Sequence, residues 1–67
     1  MLEVIHAKGW TFFPWFRQVG DQEWEGCVDV LSGVKARVEH VCIRRRPDSA
    51  AAFADAALDA LTLAEMV

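Results

Sequence analysis

The sequence has little of what would identify a secreted or membrane protein. Its two cysteines, Cys27 and Cys42, are too few for the disulfide framework of a small secreted domain. No hydrophobic run approaches the roughly 20 residues of a membrane span. The start, Met1-Leu2-Glu3, lacks the charged beginning and the long apolar core of a signal peptide. We therefore expect a cytoplasmic protein with two reduced thiols and no membrane association.

The sequence also has no excess of positively charged side chains. Seven basic against ten acidic side chains give a net charge of −3, which disfavours a general affinity for nucleic-acid backbone or anionic lipid. Nucleophile and base candidates are few, with two serines and two histidines, and one small sheet offers little concave volume for them. We expect no catalytic residues, no cofactor and no enzymatic activity.

Hydrophobic residues, by contrast, are abundant. They make up 54% of the 67 residues and include three tryptophans and four phenylalanines. A chain of this length forms one domain, residues 1–67, and buries only about 60% of the surface that its unfolded form exposes. One small core cannot hide so many rings, so we expect part of the apolar surface to be shared with a partner.

The clearest strand pattern runs over residues 23–31. Trp24, Val28 and Val30 alternate with Glu23, Glu25 and Asp29, as in a half-buried antiparallel strand. Before it, residues 2–7 and 10–18 are predicted strands, joined by a turn at Lys8-Gly9. Pro14 cannot donate to a ladder, so the second strand should be at a sheet edge or bulged there.

A three-residue loop at residues 31–33 is predicted to lead into the fourth strand, residues 34–44. This register pairs Val30 with Val34 and sets Asp29 across from Lys35, which keeps apolar residues on one face. It also sends Cys27 and Cys42 to opposite faces.

A helix is predicted over residues 49–66, after Pro47 ends the ladder and Asp48 or Ser49 caps the first turn. Its apolar stripe is predicted to be Ala50, Phe53, Ala57, Leu61 and Ala64, with Asp55 and Asp59 on the other side. The fold class is thus α+β, a three- to four-stranded antiparallel meander with one C-terminal helix packed on one face.

The aromatic segment of the second strand divides by parity. Trp10, Phe12 and Phe16 share one side, and Phe13 and Trp15 share the other, so one helix cannot cover both sets. Which set is exposed stays open, because Pro14 can introduce a bulge. The predicted protein-binding residues are Trp10, Phe12, Phe16, Glu25 and Arg37.

Two other groups of residues resemble functional sites but have simpler structural explanations. His40 and Cys42 are two apart on a strand, but no zinc spacing of the C-x-x-C or H-x-x-x-H kind occurs, so no metal site is predicted. Arg44, Arg45 and Arg46 form a basic edge that suits phosphate contacts. Beside an acidic helix, these arginines fit better as a solvated strand end that discourages edge pairing.

The order of elements resembles the small βββα modules grouped with HicB-like antitoxins and, more distantly, the double-stranded-RNA-binding fold. Gly9-Trp10, Pro14, Trp24 and the alanine-rich helix look like small proteins of proteobacteria and their prophages. Small size, acidity and surplus aromatic side chains are what we expect of a phage or mobile-element inhibitor of the anti-CRISPR kind, or of an antitoxin-type blocker. We therefore expect a non-enzymatic module that binds a larger protein or itself as a homodimer; the alternative is a nucleic-acid-binding module using Arg44 to Arg46.

Overall fold

The computed structural model describes residues 4–32 and 36–67. Four strands form one antiparallel sheet in the order β1-β2-β3-β4, and one helix packs on one side of it. The elements are β1 (Ile5–Ala7), β2 (Trp10–Gly20), β3 (Glu23–Ser32), β4 (Ala36–Arg46) and α1 (Ser49–Glu65). The predicted α+β meander with a C-terminal helix is confirmed. In the described ranges, no helix is both long and apolar enough to cross a bilayer.

Tight turns at the predicted places connect the first three strands. Lys8 and Gly9 both have positive φ, 51° and 82°, which is the backbone of a two-residue hairpin turn. The next turn, Asp21-Gln22, places Gln22 at φ 55°, and the β2–β3 register shifts by one residue just before it, between Gln18 and Gly20. The chain thus reverses direction twice within its first 23 residues.

Pro14 lies where the sheet tolerates it. Within the described residues, β1 pairs only with Trp10, Thr11 and Phe12 of β2, while β3 pairs with β2 along most of its length. In that part of the chain, β2 has a neighbour on one side only at Pro14, so a proline without an N–H need not interrupt a ladder on the other side. The β2–β3 register does not shift at Pro14, so a local edge rather than a bulge fits the described residues.

The predicted register between β3 and β4 is wrong by four residues. Val30 pairs with Val38 rather than Val34, and Asp29 lies opposite Glu39 rather than Lys35. The partners Val34 and Lys35, with Gly33 of the predicted loop, lie outside the described residues. A shift by an even number keeps every side chain on its predicted face, so the hydrophobic pattern cannot distinguish these registers.

The buried face of α1 also differs from the predicted stripe. Ala52, Ala56 and Ala60 are completely buried, whereas Ala50 and Leu61 are exposed. Of the remaining predicted positions, Phe53 contacts the Phe16 ring, Ala64 packs against the core and Ala57 is half-buried.

Gly26 explains this rotation of the helix. A Cβ on Gly26 would collide with the carbonyl oxygen of Ala52 and lie 3.0 Å from the amide nitrogen of Ala56. The helix therefore sits directly on the glycine with its smallest side chains toward the sheet. Gly26 lies opposite residues 42–44 of β4, where the β3–β4 register shifts.

Contacts at the start of α1 fix it to the sheet. Asp48 is the N-cap, and its Oδ1 accepts a hydrogen bond of 2.7 Å from the amide of Ala51, as one of the two predicted caps. Asp55 accepts two hydrogen bonds from Arg46 of β4, 2.7 Å from Nε and 3.0 Å from Nη2. Asp55, predicted to face away, is thus part of the helix–sheet contact.

Two groups of apolar side chains fill the space beneath α1. One is the core of Phe12, Val28, Cys42, Ala56 and Ala60, surrounded by partly buried Ile5, Ala7, Trp10, Val30, Leu63 and Ala64. The other is aromatic: Phe16 lies 5.9 Å from Trp24 and 5.8 Å from Phe53 between ring centroids. Both groups lie on the helix side of the sheet, which leaves the opposite side to other residues.

Candidate functional site

The two sets of rings in β2 lie on opposite sides of the sheet. Phe12 is 1% exposed in the core, and Trp10 is half-buried beside it. Phe16 is on the same side, in edge-to-face contact with the helix ring Phe53. Phe13 and Trp15 alternate with them and lie on the side away from α1, opposite Asp29 and Cys27 of β3. The sheet thus presents rings on both sides, and Pro14 does not invert the parity.

We call the apolar part of the side away from α1 the outer surface; it consists of Phe13, Trp15, Leu31 and Val41. Phe13 and Trp15 are half-buried. Leu31 and Val41 are each 38% exposed. Ile43, which is 99% exposed in the shifted part of β4, instead borders a cleft with Leu58 and Asp59 of α1. Water therefore contacts a group of apolar side chains that no element of the described chain covers.

Polar groups within this surface are paired with one another. The indole Nε1 of Trp15 donates to Asp29 Oδ1 at 3.0 Å, and Arg37 donates to the other oxygen, Oδ2, at 2.8 Å. Asp29 therefore fixes the orientation of the Trp15 ring and also neutralises the charge of Arg37. A partner that covers the ring need not supply a new hydrogen bond to the indole.

A second ion-pair group covers the middle of the same side. Arg17 donates to Glu25 at 2.6 Å and to Glu39 at 3.3 Å, and its guanidinium carbon lies 5.6 Å from the centre of the Trp15 ring. The hydrogen bond to Glu25 raises the Arg17 pKa. Glu25 is 7% exposed, so Arg17 supplies the countercharge that a buried carboxylate requires.

The structure does not bring the five predicted binding residues together. Trp10, Phe12 and Phe16 face the helix, whereas Glu25 and Arg37 face the other way and are ion-paired. The outer-surface rings are those of the opposite parity. Sequence parity showed that two sets exist, but only the position of α1 shows which set it covers.

The three arginines of the basic edge are also separated. Arg46 is bound by Asp55, whose hydrogen bond raises the Arg46 pKa. Arg45 lies opposite Glu25 in the register, on the other side of the sheet from Arg46, and Arg44 is exposed. One of the three charges is thus committed to an internal pair, and the other two do not share a face.

The two cysteines are free and both are buried. Cys42 belongs to the core under α1, and Cys27 lies on the other side of the sheet between Trp15 and Val41, as predicted from parity. Burial raises the pKa of both thiols, that of Cys42 to about 12 with help from a hydrogen bond to Asp59. Reactive cysteines have lowered pKa values, so neither thiol has the character of a nucleophile.

His40 and Cys42 point to the helix side, where they meet Asp59 of α1. The ligand atoms of these three residues lie within 4.8 Å of one another, and His40 Nε2 is 2.9 Å from Asp59 Oδ2. The remaining histidine and cysteine of the chain, His6 and Cys27, are elsewhere: His6 is hydrogen-bonded to Thr11, and Cys27 is on the opposite face. Asp59 was not predicted to join this cluster, because it was expected on the helix face that points away from the sheet.

Comparison with known proteins adds no relative to these observations: no protein-family model, no curated protein and no solved structure matches the chain.

Proposed function

We propose that the protein is a non-enzymatic binding module that docks on a larger protein through its outer surface and acts as a blocker of the inhibitor or antitoxin type. The observation that carries the proposal is the exposure of Val41 and Leu31 on the same side of the sheet as the half-buried rings Phe13 and Trp15. Exposed apolar patches on a small protein typically mark an interaction site.

The pairing of the charged groups supports docking on a protein surface. Trp15, Asp29 and Arg37 form one bonded group, and Arg17 and Glu25 belong to another. Because these groups already satisfy one another, a partner can cover the aromatic and aliphatic side chains without leaving a buried charge unpaired. An acidic chain of net charge −3 further favours a partner that is neutral or basic around the contact.

The nucleic-acid alternative has less support. Its basic edge is split between two faces, and Arg46 is neutralised by Asp55. Phosphate binding depends on several positive side chains that reach one backbone together.

Co-expression with the products of the neighbouring genes, each tagged in turn, tests the proposal. We expect one product to co-purify with the wild type and not with Val41→Glu. Leu61→Glu is the matched control, because Leu61 is an exposed leucine, 53%, on the helix and not on the outer surface. Light scattering on each purified variant detects self-association on the same surface.

Two results would contradict this function. One is a co-purifying partner that Val41→Glu retains as well as Leu61→Glu does. The other is a wild-type protein that remains monomeric and binds none of the neighbouring products. A dimer that only Val41→Glu dissociates would keep the binding surface and replace the larger partner with a second copy.

A further inference from the structure

Three side chains of different chemistry converge at the β4–α1 contact, away from the outer surface. They are the imidazole of His40, the thiol of Cys42 and the carboxylate of Asp59. His40 and Cys42 are two apart on β4 and therefore lie on one side of the strand. Asp59 reaches them from α1, one helical turn beyond Asp55.

The position of Asp59 is fixed by contacts outside the cluster. The two hydrogen bonds between Arg46 and Asp55 tie the preceding turn of α1 to β4. Gly26 sets the distance between helix and sheet, since Ala52 and Ala56 rest on it. The three side chains are thus held from two elements whose separation does not depend on them.

We propose that His40, Cys42 and Asp59 bind a zinc ion, with its fourth coordination position open to solvent. Nitrogen, sulfur and carboxylate oxygen are the three ligand types that zinc takes in proteins, and three protein ligands leave one position for water. His40 and Asp59 side chains are each 36% exposed, so an ion can enter and a water can occupy the remaining position.

The separations suit tetrahedral coordination after a small movement. Zinc–ligand bonds of about 2.0–2.3 Å place ligand atoms roughly 3.3–3.7 Å apart around a tetrahedron. The three ligand atoms already lie within 4.8 Å of one another, and the His40–Asp59 contact of 2.9 Å must open by about half an ångström. That movement replaces the present hydrogen bond with two metal bonds.

Charge balance favours a divalent ion at this half-buried position. Binding displaces the thiol proton of Cys42 to solvent, so the complex combines Zn²⁺ with one thiolate, one carboxylate and a neutral imidazole. Its formal charge is zero. The adjacent Arg46–Asp55 pair is also neutral, so the ion adds no uncompensated charge beneath the helix.

Cobalt is the probe, because Co²⁺ occupies zinc sites and reports a bound thiolate by a charge-transfer absorption. Tag-free reduced protein is titrated with Co²⁺ and then with Zn²⁺. We expect one equivalent of Co²⁺ to bind with tetrahedral visible bands and thiolate absorption, and Zn²⁺ to remove both. Cys27→Ala should leave the spectrum unchanged, which assigns the thiolate to Cys42.

Variants distinguish Co²⁺ binding at this cluster from adventitious metal binding elsewhere on the protein. Asp59→Asn and His40→Gln should each weaken Co²⁺ binding at least about 100-fold, since even the outer partners of metal ligands are worth 10–100-fold. His6→Gln is the matched control, because His6 lies on β1, is hydrogen-bonded to Thr11 of β2 and is outside the cluster. Circular dichroism checks that each variant is folded.

The proposal fails if the wild type shows no thiolate absorption with Co²⁺. It also fails if folded Asp59→Asn or His40→Gln binds as tightly as His6→Gln. Neither result bears on the outer surface, because the Val41→Glu experiment is carried out without added metal.

Discussion

Replacing Gly26 with alanine should lift the helix from the sheet. The new Cβ would collide with the carbonyl oxygen of Ala52 and lie 3.1 Å from the Cβ of Ala56. One of these atoms belongs to the helix backbone and the other is a Cβ, so no change of side-chain rotamer can relieve the two close contacts. The strand and the helix must separate by about an ångström, which forfeits a quarter to a half of the dispersion energy of the atoms in contact.

We expect Gly26→Ala to lower the free energy of unfolding by about 3 kcal/mol, at the upper end of the range for an overpacked core. For a domain of this size, that change corresponds to a fall in Tm of roughly 12–24 °C. Thermal melts and urea titrations followed by circular dichroism measure it.

Gly20→Ala is the matched control. Gly20 is also a strand glycine without positive φ, but its added Cβ meets only the flexible side chain of Glu23, which can turn aside. This variant should stay within about 0.5 kcal/mol of the wild type. If Gly26→Ala and Gly20→Ala melt together, the helix does not rest on Gly26, and the positions of Asp55 and Asp59 derived from it are wrong.

Two further predictions concern the contacts of Asp48 and Asp55 at the start of α1. Asp48→Ala should cost about 1 kcal/mol by removing the N-cap, whereas Asp48→Asn should be nearly neutral; equal losses in urea titrations would argue against the cap. The hydrogen bond from Arg46 lowers the Asp55 pKa below its ordinary 3.8, so its contribution is present above that pH and is lost as the pH falls through the lowered pKa. Asp55→Asn should therefore be less stable than wild type near neutral pH and approach it as the pH falls through the lowered pKa of Asp55; a difference independent of pH would contradict the ion pair.

The sequence by itself determined the order of the elements and the faces of the strands. Alternation over residues 23–31 predicted which residues of β3 face the helix, because side chains on a strand alternate strictly. Lys8-Gly9 predicted the first turn and Asp48 a helix cap, since both signals depend on residues next to one another in the chain. Parity also predicted that Phe13 and Trp15 oppose the other rings.

The register, the buried face of the helix and the cluster at Asp59 were decided by tertiary structure. Alternation repeats every two residues, so a pairing of Val30 with Val34 or with Val38 satisfies the pattern equally well. A helix rich in alanine carries little information about which side is buried, and the close approach at Gly26 selects it. Because that approach also brings Asp59 beside β4, the three-residue cluster appears only when helix and sheet are packed together.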